Sequence, residues 1–329
     1  MITNNRKASN LKLFALNSNK ELAQEIADFI GVELGVAEIT RFEDGEIRIN
    51  IEESVRGDDV YLIQSTNDPS NDYLMEVLIM TDALRRASAR TINVVMPYYG
   101  YARQDRKPGP REAITAKVVA NMLTIAGVSR MVTLDLHAPQ IQGFFDIPVD
   151  HLSAIALLAN YFISHDLKGE GTVVVAPDHA GVSRAREMAE LLDSPLAIID
   201  KRSADEETDE ELNVVGEVKG CTCILFDDIM DTAKTVTKAC SLLKEEGAKE
   251  VYVCVTHPVL SGDAVERINR SGIEKAIVTN TINIGDKKEC PFIELISVAP
   301  LLGDAVMRIQ SDESIKPLFE KQHIEKLTE

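Results

Sequence analysis

Cys223-Ile-Leu-Phe-Asp-Asp-Ile-Met-Asp-Thr-Ala-Lys-Thr235 is the stretch of sequence from which the fold of this chain can be worked out. Its apolar run, Ile224–Phe226, is typical of a short buried strand, and two adjacent acids follow it. The segment Asp231–Thr235 then leads into a helical pattern. We therefore expect a strand, an acidic turn, a small-residue loop and a helix N-terminus, an arrangement that favours a bound phosphate.

The two acids, Asp227 and Asp228, suit ribose hydroxyls or a hydrated metal ion when a phosphate lies beside them. The alternative is a buried strand followed by an ordinary helix cap. An isolated Asp-Asp pair is usually only that, but the additional Asp-Thr-small-Lys-Thr sequence favours a binding loop.

The composition of the 329-residue chain is that of a soluble globular protein, with 35 Lys and Arg against 53 Asp and Glu and a net charge of −18. Such an acidic chain is a poor candidate for binding nucleic acid or an anionic membrane. The sequence has neither a signal peptide nor an apolar run long enough to span a bilayer. The 5 cysteines show no metal-binding spacing, which predicts reduced thiols and a cytoplasmic location.

Strands and helices alternate along the chain, and their order repeats in the second half. This pattern predicts an α/β fold with two similar domains, residues 1–152 and 153–329, each built on a mainly parallel sheet flanked by helices. A helix is expected from His151 to about His165, and the last helix is expected at about Leu301–Ile309. The matching segments are Leu11–Arg41 with Thr172–Arg202, and Asp59–Pro97 with Cys221–Pro258.

A basic loop follows a predicted strand in the first half, within Tyr98–Glu112. Arg103, Arg106 and Lys107 are cations with aromatic neighbours, a combination that suits a triphosphate and a stacked base. Surface salt bridges are the alternative. The position after a strand end favours binding, because ligands of parallel α/β sheets bind beyond the carboxyl ends of strands.

Other polar residues also follow strand ends. Asp135 and His137 suit Mg2+ or a nucleotide phosphate, and Asp178 is a candidate second carboxylate. Lys201 and Arg202 could stabilise charge on a transferred phosphoryl group. The alternatives are a structural histidine and solvated surface charges. The sequence contains no P-loop, no G-x-G-x-x-G and no protein-kinase catalytic loop, which excludes those enzyme classes.

Longer motifs make the chain similar to the ribose-phosphate diphosphokinase family, also called phosphoribosyl pyrophosphate synthetases, over almost its whole length. The motifs are Phe42-x-Asp44-Gly-Glu46, Glu53-Ser-Val-Arg56-Gly, Gly100-Tyr-Ala-Arg103-Gln-Asp-Arg-Lys, Ile114-Thr-Ala-Lys117, Asp135-Leu-His137-Ala, Gln140-Ile-Gln-Gly-Phe-Phe-Asp146, Ile199-Asp-Lys201-Arg202 and Ser297-Val-Ala-Pro. The resemblance implies two duplicated phosphoribosyltransferase-like domains, the first with ATP-binding loops and the second with a ribose 5-phosphate loop.

Members of this family transfer the β,γ-diphosphoryl group of ATP to the 1-hydroxyl of ribose 5-phosphate, giving phosphoribosyl pyrophosphate and AMP. The resemblance implies Mg2+ as the cofactor and a role for each matching residue. The implied roles are catalysis for Lys201 and Arg202; ATP binding for Phe42, Asp44, Glu46, Arg103, Gln104, Asp105 and Arg106; ribose 5-phosphate binding for Asp227, Asp228, Asp231, Thr232, Ala233, Lys234 and Thr235; contact with Mg2+ and ATP phosphate for His137 and Asp178; and phosphate or ADP regulation for Ser54, Arg56, Ser311 and Ser314.

Self-association also follows from the resemblance, as a hexamer of dimers in which a neighbouring subunit supplies Phe42, Asp44 and Glu46 to the adenine. A hetero-oligomer with an active homologue is an alternative assembly.

The chain departs from the family pattern in several places. Ser203 stands where the family has a second catalytic arginine, acids occupy the following loop from Asp205 to Glu211, and Lys234 replaces a glycine. Ala180 likewise replaces a glycine, beside an unusual His179. Two hypotheses follow: a working diphosphokinase, or a catalytically weak paralogue that regulates or scaffolds an active synthetase. A purine phosphoribosyltransferase ranks last, because it leaves the Arg103–Lys107 segment and the duplicated domain unexplained.

Overall fold

The computed structural model of the protein describes residues 10–202 and 211–328. Its contacts divide the chain into two compact units. The first runs up to Leu152 and includes Ala299–Ile315, and the second consists of Ser153–Val298 and the residues from Lys316 onward. Within the described part of the chain, no helix has the length and apolar character needed to cross a membrane.

Strands and helices alternate through both units, as the sequence pattern predicts. Up to Leu152 the elements are β1 (Leu11–Ala15), α1 (Lys20–Ile30), β2 (Ala37–Arg41), β3 (Ile47–Ile51), β4 (Asp59–Ile63), α2 (Ser70–Arg86), β5 (Thr91–Met96), α3 (Thr115–Ala126), β6 (Arg130–Leu134) and β7 (Val149–Leu152). From Ser153 they are α4 (Ile155–Ser164), β8 (Thr172–Ala176), α5 (Val182–Leu191), β9 (Leu196–Arg202), β10 (Glu211–Val215), β11 (Thr222–Met230), α6 (Lys234–Glu245), β12 (Glu250–Pro258), α7 (Ala264–Arg270), β13 (Ala276–Thr279), β14 (Ile293–Ile296), α8 (Ala299–Gln310) and α9 (Lys321–Thr328).

Both main sheets share one strand order. The first unit has five parallel strands in the order β1-β4-β5-β6-β7. In the second unit the strands β8-β11-β12-β13-β14 repeat that order in parallel, and β9 and the antiparallel β10 extend the edge beside β8. The predicted duplication is thus visible in the sheet topology.

Burial explains the apolar strands. Every residue of β4 and of β8 is buried, as expected where helices cover both faces of a parallel sheet. Helix ends follow local chemistry: the Asn19 side chain accepts from the Leu22 N–H at the start of α1. Gly31 closes the same helix at φ 80°, a left-handed conformation that glycine adopts without a Cβ clash.

Three sequence expectations are corrected. His151 lies on β7, not at a helix start, because this segment pairs in parallel with β6, and the next helix begins at Ile155. Strand β11 does not end at Phe226 but continues through both acids to Met230, because β12 provides ladder partners as far as Pro258. Residues 299–315 belong to the first unit, although they were predicted in the second domain.

Helix α8 joins the first unit because it packs against α1. The approach is close at Gly303, where a Cβ would lie only 2.5 Å from the ring of Phe29. The sequence pattern did not predict β10, of which only the first residue, Glu211, falls in the predicted acidic loop, nor the short helices α7 and α9.

Candidate functional site

Two carboxylates lie near the carboxyl end of β11 in the second unit. Asp228 is buried, with its side chain 4% exposed, whereas the side chain of Asp227 is 26% exposed. Successive residues of a strand point to opposite faces, so the two carboxylates leave the backbone on different sides. They nevertheless share one cation.

That cation is Arg184 of α5, a residue that the sequence analysis did not single out. Its Nη1 donates to Asp227 Oδ1 at 2.8 Å and also to Asp228 Oδ1. The Arg184 side chain is 22% exposed, which shields the three charges in part from solvent. The sequence offered no local signal for this contact, because Arg184 lies within an ordinary helical pattern and its partners are distant in the chain.

The environment of Asp227 changes its acidity. Burial and, after it, the charge and hydrogen bond of Asp228 together raise the pKa of Asp227 from 3.8 to about 7, although the charge of Arg184 acts in the opposite direction. The pair therefore holds a proton more readily than two exposed carboxylates.

The predicted phosphate loop, Asp231–Thr235, connects β11 to α6. Ala233 is buried and left-handed at φ 59° and ψ 6°, and helix α6 begins at the next residue. Thr232, Lys234 and Thr235 are exposed. The first N–H groups of a helix have no intrahelical acceptor and carry the positive end of its dipole, so this loop can bind an anion.

Neighbouring strands end beside the same sheet edge. Asp178 follows β8, and its Oδ1 accepts from the Gly181 N–H at 2.9 Å, which fixes the carboxylate orientation. The exposed His179 places Nε2 2.9 Å from Oδ1 of Asp200 on β9. Because β9, β8 and β11 are adjacent and parallel, the carboxyl ends of all three strands meet at one edge.

Lys201 and Arg202, the predicted catalytic cations, are the last two residues of β9. The structure therefore places their backbone at that edge, while their side chains lie outside what it describes. Ser203 and the acidic residues 205–210 also fall outside the described residues, and Glu211 begins β10.

In the first unit, the loop after β5 carries the predicted ATP contacts. Gly100 anchors its start: the Gly100 N–H donates to Thr66 Oγ1 at 2.7 Å. A Cβ at Gly100 would lie 2.2 Å from the Thr66 carbonyl oxygen, so any larger residue must displace backbone. Glycine is therefore required here by the close approach of two backbone segments.

The side chains beyond Gly100 have different roles. Arg103 and Arg106 are exposed. Gln104 is held by α3, since its Oε1 accepts from Thr115 Oγ1 at 2.6 Å and its carbonyl oxygen accepts from the Ala116 N–H. Asp105 accepts from Gln140 Nε2 at 3.3 Å. The loop thus presents exposed arginines on a backbone that Gln104 and Asp105 restrain.

The turn after β6 carries Asp135 and His137, both half-buried. Asp135 has a positive φ of 33°, and the following Leu136 N–H donates to His151 Nε2 at 2.9 Å. Burial lowers the pKa of His151, although the charge of Asp135 acts in the opposite direction. A neutral His151 can accept this bond, and it positions the turn that bears His137.

The predicted adenine contacts lie at the tip of the β2–β3 hairpin. Phe42, Asp44 and Glu46 are all exposed, and 52% of Phe42 is accessible to solvent. The Phe42 N–H donates to the Glu46 carbonyl, and the Glu46 N–H donates to Asp44 Oδ1 at 3.1 Å. Asp44 therefore also stabilises the turn.

The four predicted regulatory residues are exposed and belong to the first unit. Arg56 Nη1 donates to Ser88 Oγ at 3.1 Å, and the Ser314 carbonyl accepts from Arg308. Gln310, at the end of α8 before Ser311, donates to Asp59 Oδ2 on β4 at 3.2 Å. This bond ties the end of α8 to the strand that follows the Ser54–Arg56 segment.

Among residues 10–202 and 211–328, no group of three or more His, Cys, Asp and Glu side chains is arranged to hold a metal ion. Asp178 offers an oxygen donor, as Mg2+ prefers, whereas the imidazole of His137 suits a phosphate oxygen better.

Known proteins resemble the chain over nearly its full length. Residues 11–127 match the family model for the N-terminal domain of ribose phosphate pyrophosphokinase, and residues 210–320 match the model for the phosphoribosyl synthetase-associated domain. "Ribose-phosphate pyrophosphokinase 2" of Enterococcus faecalis is 58% identical, with 95% of this chain and 97% of that protein covered. The ribose-phosphate pyrophosphokinase of Bacillus subtilis is also 58% identical, with 94% and 97% covered.

A solved structure agrees with the fold. The crystal structure of phosphoribosylpyrophosphate synthetase from Mycobacterium smegmatis matches with a TM-score of 0.87 and 44% sequence identity, and it covers 92% of this chain and 100% of its own. The predicted fold, two duplicated α/β domains with mainly parallel sheets, is confirmed.

Proposed function

Because the chain belongs to the ribose-phosphate pyrophosphokinase family, we propose that it transfers the β,γ-diphosphoryl group of ATP to the 1-hydroxyl of ribose 5-phosphate. The products are phosphoribosyl pyrophosphate and AMP. The observation that carries this proposal is the acidic pair, Asp227 and Asp228, directly before a loop that opens helix α6. One end of this site suits sugar hydroxyls and the other suits a phosphate.

Ribose 5-phosphate binds along the end of β11. Its 5-phosphate accepts hydrogen bonds from the loop Asp231–Thr235 and the first turn of α6, where the helix dipole favours an anion. Its hydroxyls donate to Asp227 and Asp228, since ionised carboxylates accept strong hydrogen bonds. The guanidinium of Arg184, which contacts both carboxylates, favours the ionised form of Asp227 against the effects of burial and of Asp228.

ATP binds to the loops of the first unit. The exposed Arg103 and Arg106 contact its phosphates, restrained by the backbone that Gln104 and Asp105 hold. His137, on the turn that His151 supports, also faces phosphate. Phe42, Asp44 and Glu46, exposed at a hairpin tip, contact the adenine of a neighbouring subunit.

Catalysis depends on alignment and charge neutralisation. The nucleophile is a hydroxyl of the substrate, so the protein needs no nucleophile of its own. Lys201 and Arg202, at the end of β9, stabilise the negative charge of the transferred group. When bound, Mg2+ adds positive charge at the ATP phosphates, and the single carboxylate of Asp178 fits an ion that keeps most of its other ligands from substrate and water.

The assembly is a hexamer of dimers, in which the hairpin tip reaches the neighbouring site and Ser54, Arg56, Ser311 and Ser314 bind a regulatory phosphate or nucleotide. The exposure of all these residues supports the proposal. A cytoplasmic location is consistent with five cysteines that form no disulfide.

The experiment is an assay of the purified chain with Mg-ATP and ribose 5-phosphate, in which AMP and phosphoribosyl pyrophosphate are measured together. Equal amounts of the two products are expected. Lys201→Ala should lower the rate by roughly a hundredfold, because an electrostatic stabiliser is lost. The matched variant Lys238→Ala, on the exposed face of α6, should retain the rate. AMP formation that does not depend on ribose 5-phosphate, or no formation at all, would contradict the proposed activity.

A further inference from the structure

Backbone carbonyl oxygens at the start of the phosphate loop accept hydrogen bonds from the segment that follows β12. The Met230 carbonyl accepts from the Leu260 N–H at 3.0 Å, and the Asp231 carbonyl accepts from the Ser261 N–H at 3.0 Å. The Thr232 carbonyl accepts from Arg267 Nη1 at 2.9 Å. Three consecutive carbonyls are therefore tied to the segment that follows β12.

These bonds determine where the loop N–H groups point. In a planar trans peptide the C=O and the N–H of the following residue point in opposite directions. A Thr232 carbonyl directed at Arg267 thus turns the Ala233 N–H away from α7, and the Asp231 carbonyl does the same for the Thr232 N–H. A left-handed residue such as Ala233 can turn successive N–H groups to one side of the chain, which is the geometry of an anion-binding nest.

Arg267 is itself held in place. Its Nη2 lies 3.3 Å from Asp263 Oδ2 one helical turn earlier, and its side chain is 32% exposed. The segment before it is anchored by Leu260 and Ala264, both fully buried, and Lys287 Nζ donates to the Leu260 carbonyl at 2.7 Å. Because Asp263 is 72% exposed, its ion pair contributes little, and the guanidinium is held mainly by its bond to the Thr232 carbonyl on a helix that follows a buried segment.

We propose that Arg267 is a positioning residue for ribose 5-phosphate: by holding the Thr232 carbonyl, it orients the N–H groups of the loop toward the 5-phosphate. It acts through the backbone and does not touch the substrate. The proposal rests on the proposed function, which places the 5-phosphate at this loop. Loss of Arg267 releases one peptide plane, and the phosphate must then order that plane when it binds.

Helix α7 offers a matched control. Arg270 lies one turn beyond Arg267 but is 77% exposed and pairs with Glu266. Arg267→Gln and Arg270→Gln therefore remove the same charge from the same helix, and only the first removes the bond to Thr232. Asp263→Asn is a second control, because it removes the ion pair of Arg267 and leaves the carbonyl bond.

The test is calorimetric titration of the full-length chain with ribose 5-phosphate and, separately, with ATP. For Arg267→Gln we expect the Kd for ribose 5-phosphate to rise by about tenfold, as for a lost charged hydrogen bond, with the Kd for ATP unchanged. Arg267→Lys should recover part of the affinity, since an ammonium can donate to the same carbonyl. Arg270→Gln and Asp263→Asn should match the wild type.

The outcomes separate the two proposals. If the wild-type chain does not bind ribose 5-phosphate, the proposed function fails. If the wild type binds and both Arg267 variants retain wild-type affinity, the positioning role is wrong. Equal weakening for ribose 5-phosphate and ATP, or a similar effect of Arg270→Gln, would also overturn it, because general destabilisation or loss of charge would then be the cause. Arg267→Lys keeps the test available if Arg267→Gln folds poorly, which its melting temperature reports.

Discussion

Arg184 Nη1 lies 2.8 Å from Asp227 Oδ1, so a helix-borne cation neutralises a carboxylate at the end of the neighbouring strand. The same nitrogen contacts Asp228, whose side chain is almost fully buried. Two adjacent acids at the end of a strand repel each other, and a single guanidinium offsets that repulsion. The Arg184 contact consequently offsets part of the cost of placing two adjacent carboxylates in the folded chain.

Replacing Arg184 with Gln should destabilise the protein. The change leaves the Asp227–Asp228 pair without its cation, and we expect a loss of about 1–3 kcal/mol in the free energy of unfolding. Urea denaturation measures this loss. Arg86→Gln is the control. Its ion pair with Asp82 contributes little to stability, because the Arg86 side chain is 79% exposed and the Asp82 side chain is 52% exposed. Equal effects of the two variants would show that the Arg184 contact contributes no special stability.

The raised pKa of Asp227 predicts how stability changes with pH. A carboxyl whose pKa is higher in the folded chain binds its proton more tightly there than in the unfolded chain. Its contribution is therefore present at low pH and is lost as the pH rises from about 3.8 to about 7. As the pH rises across this window, the free energy of unfolding should fall less steeply in Asp227→Asn than in the wild type. Asp166→Asn, at an exposed position, should leave the profile unchanged.

Asp228→Asn should weaken ribose 5-phosphate binding far more than ATP binding. The amide cannot accept from sugar hydroxyls as strongly as the carboxylate does, and we expect a rise of about tenfold or more in the Kd for ribose 5-phosphate. Calorimetry with each substrate provides the comparison. Unchanged affinity for the sugar phosphate would refute the placement of the sugar at the end of β11.

Gly100→Ala should disturb the loop that carries Arg103 and Arg106. The new Cβ would meet the Thr66 carbonyl oxygen at 2.2 Å, so one of the two backbone segments must move. We expect a loss of about 1–3 kcal/mol in stability and a higher KM for ATP. Gly143→Ala is the matched control, since a Cβ there meets nothing within 4 Å. An unchanged KM for ATP in Gly100→Ala would show that this loop does not contribute to nucleotide binding.

Local patterns were enough to predict most of the elements. The alternation of β3 and the apolar run of β8 identify strands at their observed positions, because burial on one or both faces leaves a short-range pattern. The predictions were wrong where pairing with another strand decides the secondary structure. Strand β11 extends past Asp227 only because β12 pairs with it, and His151 lies on a strand because β6 does the same.

The residues of the candidate site also fall into those that a local sequence pattern identifies and those that it does not. Asp227, Asp228 and the loop Asp231–Thr235 are contiguous, so their chemistry and spacing are visible in the sequence. Arg184, His151 and Arg267 were missed because each acts on a segment far away in the chain. No local feature of the sequence identifies the residue that a helical arginine or an isolated histidine contacts.

The sequence by itself determined the α/β class, the duplicated order of strands and helices, and the acidic strand end beside a small-residue loop. These depend on side-chain periodicity and turn chemistry within a few residues. Only the tertiary structure decided that Arg184 meets Asp227, that Arg267 holds the Thr232 carbonyl, and that α8 packs on α1 in the first unit. The physical reason is that packing and sheet pairing bring together residues that are far apart in the sequence. The pattern around each residue gives no information on its distance from the other.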